Sequence, residues 1–387
     1  MDPIPYGLQC ISEGDISAVE AVLRSDWLTQ GPTIERFESK VAGYAGVDFG
    51  CAVNSATSAL HLACRVLDLG PGDTLWTVPN TFVASSNAAL YCGAEVDFVD
   101  IDPITYNLSV PALAEKLARA EHGGRLPKVV MPVHFGGQSC DMREIAMLAQ
   151  RYGFRVIEDA SHAIGGDYLG HKVGCCEYSD ITVFSFHPVK IITTAEGGML
   201  LTKDSAMHRE AALLRSHGVT RDAAAMDQTS EGAWYYQQVD LGFNYRLTDM
   251  QAALGLSQMG RIDGFVERRR AIARRYDAAF SSLPIGLPGR SPGATSAWHL
   301  YVIQVDQALT GKSRKDVFDA LRVAGIQVNV HYIPVHLQPY YRRMGFVPGQ
   351  FPAAERYYTQ AISVPLYASM SDAQQERVID EMANALR

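Results

Sequence analysis

A chain of 387 residues, 47% of them hydrophobic, can bury a large core, and at about 150 residues per domain it holds two or three structural units. Lys and Arg number 34 against 42 Asp and Glu, a net charge of −8, so a phosphate backbone is repelled on average, and no long basic run makes nucleic acid a partner. The segment Met1-Asp2-Pro3-Ile4-Pro5 carries no charged stretch followed by an apolar core, and no run of about 18 apolar residues occurs, so no membrane contact is expected and a soluble, cytoplasmic protein is.

In chain order, Ser17-Ala18-Val19-Glu20 has the capping-box spacing and opens a short helix carrying Val19, Val22 and Leu23 that ends near Trp27. Gly31-Pro32 then forces a turn. From Gly50 to about Leu201 short apolar runs follow one another: Cys51 to Val53, Thr74 to Val78, Glu95 to Val99, Val129 to Met131, Arg155 to Ile157, Ile181 to Phe184, Met199 to Leu201. Stretches of helical periodicity separate them, such as Leu60, Ala63, Leu67 and Met142, Ile145, Leu148. That alternation predicts βα units: an α/β large domain with a mostly parallel sheet flanked by helices. Gly197-Gly198 gives a tight turn into the last of these strands.

Beyond about Arg261 the texture changes to a long charged helix, a Pro/Gly-rich break over 284–292, an alternating strand from His299 to Val305, and a closing helix opened by Ser371-Asp372-Ala373-Gln374. A smaller α+β unit is expected there, dividing the chain into 1–260 and 261–387. Arg268-Arg269-Arg270, the densest basic cluster, follows Ile262, Phe265 and Val266 and adjoins Glu267; it reads as a solvated helix face rather than an anion site. The seven cysteines (Cys10, Cys51, Cys64, Cys92, Cys140, Cys175 and Cys176) form no Cys-x-x-Cys pair, so free thiols in a reducing compartment are expected, with no metal site.

Lys190 closes Ser185-Phe186-His187-Pro188-Val189-Lys190, and 31 residues upstream Asp159 lies in Glu158-Asp159-Ala160-Ser161-His162 at the end of an apolar run. A pyridoxal phosphate site needs a lysine amine to hold the cofactor and a carboxylate to keep its ring nitrogen protonated. It also needs small hydroxyl residues with free backbone N–H groups for the phosphate. All three are present. Asn54-Ser55-Ala56-Thr57-Ser58 follows the first core strand and opens a helix, which suits either a phosphate cradle or a simple N-cap. Its position at the carboxyl end of a strand favours the cradle. Ser185, five residues before Lys190, can reach the same phosphate. Phe82 emerges at the same sheet edge, either to stack on a pyridine ring or to pack in the core. Asp159 would pair with the ring nitrogen, the alternative being a cap or structural ion pair. His162 would bond the cofactor's phenolic oxygen or stack on its ring, the alternative being a satisfied core histidine.

Together these segments resemble the sugar-nucleotide aminotransferases, the DegT-type family of fold-type-I pyridoxal phosphate enzymes, from Trp27-Leu28-Thr29-Gln30-Gly31-Pro32 to Pro365. The resemblance implies Lys190 as the Schiff-base lysine, Asp159 on the pyridine nitrogen, His162 near the ring oxygen and Phe82 as the stacking ring. It places Ala56, Thr57 and Ser185 at the phosphate. Many members carry glutamine where this chain has His162. It further implies that Asn244, in Leu241-Gly242-Phe243-Asn244-Tyr245-Arg246-Leu247, reaches the phosphate of a neighbouring subunit, making a homodimer with shared active sites. Residues 220–240 would then cover the partner's site. By residue type alone Asn244 is equally a turn residue.

Within the family, Asn54 to Ala63, Phe186 to Lys190 with Thr193 to Gly198, and Val330 to Tyr341 are similar to the branch acting in pseudaminic acid biosynthesis. Ile191 stands where that branch carries proline. This implies transfer of an amino group from L-glutamate to a UDP-linked 2-acetamido-2,6-dideoxy-4-keto-L-hexose, with pyridoxamine phosphate between the two halves. The product would be UDP-4-amino-4,6-dideoxy-N-acetyl-β-L-altrosamine. Trp27, Thr29, His331, Tyr332 and His336 are the candidate sugar-nucleotide contacts, with packing the alternative for His336. Perosamine-type and dTDP-sugar aminotransferases share the cofactor set. A 3-dehydratase of the same fold resembles the family with histidine in place of the lysine, and Lys190 is present. A noncatalytic sensor on the scaffold would not need Asp159, Ser185 and Lys190 together, and a nicotinamide dehydrogenase lacks its Gly-x-Gly-x-x-Gly here.

Overall fold

The computed structural model describes residues 2–387. Its centre is one seven-stranded sheet built from β1 (Phe49–Val53), β2 (Thr74–Thr77), β3 (Glu95–Phe98), β4 (Val129–Val130), β5 (Arg155–Asp159), β6 (Ile181–Ser185) and β7 (Gly198–Thr202), in the order β1-β7-β6-β5-β4-β2-β3. From β6 to β3 every neighbouring pair is parallel, whereas β7 runs antiparallel to both β1 and β6. The mostly parallel sheet read from the alternation is therefore present. Strands β6 and β7 are buried at every position, the pattern of a sheet covered on both faces. Alternate residues divide between the faces: Val183 and Leu200 join one core, Phe184, Met199 and Leu201 the other.

Helices supply both covers. On one face lie α1 (Glu13–Leu23) and α2 (Pro32–Ala45), which pack against α8 (Asp249–Met259). The opposite face carries α3 (Ala56–Val66), α4 (Ala84–Tyr91) and α7 (Ser205–Leu214), while further along the sheet, back on the face of α2, α5 (Val110–Gly123) and α6 (Met142–Tyr152) cover Trp76, Val130 and Val156. Two local readings are corrected. The capping box of α1 is Ser12 with Asp15, not Ser17 with Glu20, because Asp15 is also buried against Ser257, Gln258 and Arg261. Gly31-Pro32 is less a turn than a helix start: Gly31 caps α2 and Pro32 is its first residue, where the missing N–H costs nothing.

Helix α9 (Ile262–Phe280) leads into the smaller unit, where β8 (Tyr301–Gln304) pairs antiparallel with β9 (Ala361–Val364). Around that pair lie α10 (Arg314–Val323), α11 (Pro352–Gln360) and α12 (Asp372–Leu386), the last capped by Ser371 with Gln374. The division at residue 260 omits a return of the chain: Ile4–Pro5 pairs with Ile326–Gln327, and Ile4 is buried in the smaller unit's core. The solvated reading of the basic cluster fails at its centre. Arg269 is 1% exposed and donates to the carbonyls of Trp298, His299 and Leu366. It continues the buried stripe of Ile262, Phe265, Val266, Ile272 and Tyr276, so its helical position turns it inward.

Candidate active site

At the carboxyl edge of the parallel strands, where open α/β sheets bind ligands, a cleft of ≈ 460 Å³ opens between the sheet and the smaller unit. Asp159 ends β5 and Ser185 ends β6; Ala56 and Thr57 begin α3 straight after β1; Lys190 stands on the loop from β6 to β7. All of them line the cleft, as do Phe82, His162, His331 and Tyr332.

The α3 turn is an N-cap and leaves room for the phosphate reading. Ser55 is the cap and accepts the N–H of Ser58, which leaves the N–H groups of Ala56 and Thr57 without a partner among the described residues and directed at the helix end. Gly198 makes this possible through closeness rather than a turn: neither it nor Gly197 has positive φ, but a Cβ on Gly198 would lie 2.6 Å from the Ser55 carbonyl carbon.

Asp159 is 4% exposed and has no cation within ion-pairing distance among the described residues. Its carboxylate accepts from Ser85 Oγ at 2.6 Å and from the Ser161 N–H at 3.1 Å. A desolvated carboxylate held by neutral donors alone is costly and lacks a positive partner, which a protonated pyridine nitrogen would supply. Beneath it Glu158 accepts from Thr182 Oγ1 at 3.0 Å and pairs with His134 Nε2 at 2.6 Å, fixing the end of β5. Burial pulls the Lys190 ammonium down to about 8, against the opposing charge of Asp159. Near neutral pH a fraction of Lys190 is therefore an unprotonated nucleophile.

Phe82 is 60% exposed within the cleft, so the core-packing alternative does not hold. His162 is buried, with Nδ1 accepting the Gly136 N–H at 3.3 Å and Nε2 3.2 Å from the Tyr332 hydroxyl. Both ring nitrogens are thus taken by the protein, which leaves the ring face for stacking. Burial, reinforced by the Lys190 charge, holds His162 far below its ordinary range and keeps it neutral. His331 is likewise pushed down to about 3 by burial and then by Lys190, while its Nδ1 meets Ser363 Oγ at 2.7 Å.

Other candidates are not brought to the cleft. His336 packs behind it, Nε2 against Glu355 at 2.9 Å, in agreement with its packing alternative. Trp27 and Thr29 are exposed elsewhere, Thr29 bridging to Thr248. Asn244 is exposed and does not line the cleft, its carbonyl accepting from Asn54 Nδ2.

The residues not anticipated come from far along the chain. Tyr6 follows directly on the N-terminal strand Ile4–Pro5, its ring 5.4 Å from that of His331. Ser85 is visible in Pro79-Asn80-Thr81-Phe82-Val83-Ala84-Ser85 only once Asp159 is known to face it. His299, at the start of the predicted alternating strand, brings its ring 4.5 Å from that of His162. Gly137 permits that approach, since its Cβ would lie 2.7 Å from the Trp298 nitrogen.

Residues 9–383 match the model of the DegT/DnrJ/EryC1/StrS aminotransferase family. The chain belongs to that family. This DegT-type chain is 40% identical to the spore coat polysaccharide biosynthesis protein SpsC of Bacillus subtilis, over 99% of its own length and 97% of SpsC. Among solved structures it is similar to PseC of Helicobacter pylori, an aminotransferase involved in the biosynthesis of pseudoaminic acid (TM-score 0.91, 30% identity, 100% and 99% of the two chains). It is also similar to the sugar aminotransferase Spr1654 of Streptococcus pneumoniae in its pyridoxamine phosphate form (TM-score 0.89, 31% identity, 99% of each chain). The DegT-type chain is therefore a pyridoxal phosphate-dependent sugar aminotransferase with the fold-type-I architecture. The free N–H groups of α3, the cation-less Asp159 and the low-pKa Lys190 fit that cofactor. No helix among the described residues is long and apolar enough to cross a membrane.

Proposed function

We propose that the enzyme moves the amino group of L-glutamate to the C4 ketone of a UDP-linked 2-acetamido-2,6-dideoxy-4-keto-L-hexose, forming UDP-4-amino-4,6-dideoxy-N-acetyl-β-L-altrosamine for pseudaminic acid biosynthesis in the cytoplasm. The observation that carries this reading is the end-to-end likeness to PseC. When bound, pyridoxal phosphate supplies the electron sink for breaking the donor's α-C–H bond and carries nitrogen between the two substrates.

The chain's own groups divide the remaining work. Ala56, Thr57 and Ser185 hold the phosphate, with Asn244 of a second subunit completing the cradle. Asp159 keeps the ring nitrogen protonated. His162 and Phe82 face the ring. Lys190 Nζ takes the proton from the donor's α-carbon and delivers one to the sugar's C4 in the return half. The homodimer is supported by the large apolar side chains left in the open along residues 220–244: Leu241 is 74% exposed and Trp234 71%.

A second reading rests on the higher identity to SpsC: the acceptor is the keto-sugar nucleotide of another surface polysaccharide. The test follows the cofactor's visible band. L-glutamate is expected to bleach it, and the UDP-linked 4-keto-L-sugar to restore it with formation of the amino sugar. Restoration only by a GDP- or dTDP-linked ketone overturns the substrate assignment.

A further inference from the structure

We propose that Tyr332 is the hydrogen-bond donor to the carbonyl oxygen of the keto-sugar, and that His162 is the positioning residue that aims it. The proposal rests on the reading that a keto-sugar enters this cleft. It goes beyond a contact role for Tyr332 by fixing which atom donates and in which direction.

The direction follows from a chain of obligatory donors. A backbone N–H can only donate, so the Gly136 amide, 3.3 Å from His162 Nδ1, requires a lone pair on that nitrogen. A neutral imidazole carries one proton, which must then sit on Nε2. At 3.2 Å from Nε2, the Tyr332 oxygen accepts that proton as a hydrogen bond. Its own hydrogen is left pointing away from His162. Among the described residues the Tyr332 hydroxyl makes no hydrogen bond other than that to His162, so no other described group receives it.

The place that remains is the cleft, which Tyr332 lines. Its ring is fixed there between Phe82, 6.4 Å away, and His162, 6.2 Å away and nearly parallel, while its backbone N–H is anchored to Asn80. Burial and the Asp159 charge raise the phenol's pKa, so it remains a donor throughout the working range. The neighbouring wall, His299 and His331, is uncharged, because burial and Lys190 hold both imidazoles neutral. A wall of neutral groups with one free O–H suits a neutral carbonyl oxygen, and donation there makes the carbon more electrophilic toward an amine.

Single-turnover rates of the two half-reactions of the holoenzyme provide the test. Tyr332→Phe keeps the ring and removes the proton; it is expected to slow the sugar half-reaction about 10²-fold more than the glutamate half-reaction. His162→Leu, which also removes a group facing the cofactor ring, is expected to slow both half-reactions and to show the same additional loss in the sugar half. His162→Gln is expected to recover most of that additional loss, since one amide can accept from Gly136 and donate to Tyr332. The double variant Tyr332→Phe/His162→Leu is expected to be no worse than His162→Leu alone. Nitrogen-15 spectra are expected to show the His162 proton on Nε2. Equal loss in both half-reactions, no loss in either, or a proton on Nδ1 overturns the proposal. Whichever keto-sugar nucleotide restores the cofactor band serves as substrate, so failure of the UDP-sugar assignment is read separately.

Discussion

Gly198→Ala isolates the closeness of sheet and phosphate turn. The added Cβ would stand 2.6 Å from the carbonyl carbon and oxygen of Ser55 and 2.7 Å from Ala56 Cα, where ordinary contact begins at 3.4 Å. Every one of those atoms is backbone, so no side chain can swing aside. Gly198 is itself held between Val53 and Ser185 in the ladder, and Ser55 is held by its cap to Ser58. Either β7 or the turn must therefore retreat by about 0.8 Å, an overpacking cost of roughly 1–3 kcal/mol. Hydrogen bonds of about 2.9 Å from the Ala56 and Thr57 N–H groups to a phosphate would stretch to about 3.7 Å, past the useful limit. Losing one charge-assisted bond of about 1.5–3 kcal/mol weakens the cofactor by roughly 10- to 100-fold. Equilibrium titration of the cofactor-free variant with pyridoxal phosphate reads this directly. Gly43→Ala, in the interior of α2 with nothing within 4 Å of its Cβ, is the control and is expected to bind normally. Wild-type affinity in Gly198→Ala would refute the reasoning.

Three further outcomes follow from the same geometry. Because burial lowers Lys190 to about 8, covalent capture of pyridoxal phosphate by the cofactor-free protein should speed up about tenfold per pH unit below that value and level off above it. An inflection near the ordinary lysine value would contradict this. Glu158→Gln places an amide where His134, Thr182 and Ser179 all direct hydrogens, and should cost roughly 3–5 kcal/mol in urea unfolding. Burial raises the Glu158 carboxyl but its hydrogen bonds, His134 first, lower it overall. Its contribution is thus present above the ordinary carboxylate range and lost on acidification, so wild type should approach the variant's stability as pH falls. Arg269→Leu leaves the carbonyls of Trp298, His299 and Leu366 without their donor and should cost about 3 kcal/mol. Unchanged denaturant midpoints would remove the case for a buried clamp.

The sheet was legible because doubly covered strands such as Ile181 to Ser185 are continuous apolar runs, and each places its last residue at the ligand edge. Asp159, Ser185, Lys190 and the Ala56-Thr57 turn converge for that reason alone. What the sequence hid was settled by contacts far apart in the chain. Ser12-Glu13-Gly14-Asp15 and Ser17-Ala18-Val19-Glu20 have the same spacing, and only the burial of Asp15 beside Arg261 selects the first. Arg269 lay on the apolar stripe of its helix in plain view, but its charge outweighed its position in the reading. Tyr6 and His299 carry no local signature at all. They reach the cleft because Ile4 pairs with Ile326 and because Gly137 lets the Trp298 segment approach.

The resulting cleft has two electrical halves, and the division bears on how a sugar nucleotide would lie in it. The ions Asp159 and Lys190 stand at the sheet edge, where a cofactor with a charged ring and phosphate needs them. Across from them Tyr6, His299, His331 and Tyr332 offer only neutral groups, and among the described residues of this chain no arginine lines the cleft. A nucleotide diphosphate buried against that wall would receive no counter-charge from this chain, at a desolvation cost of several kcal/mol per ion. A hexose loses little there, because its hydroxyls and carbonyl find donors and acceptors of matching strength. On the proposed reading the sugar therefore enters reacting carbon first, and the diphosphate stays at the solvated mouth. Cofactor chemistry and sugar recognition are then carried by opposite walls, one from the sheet and one from the smaller unit.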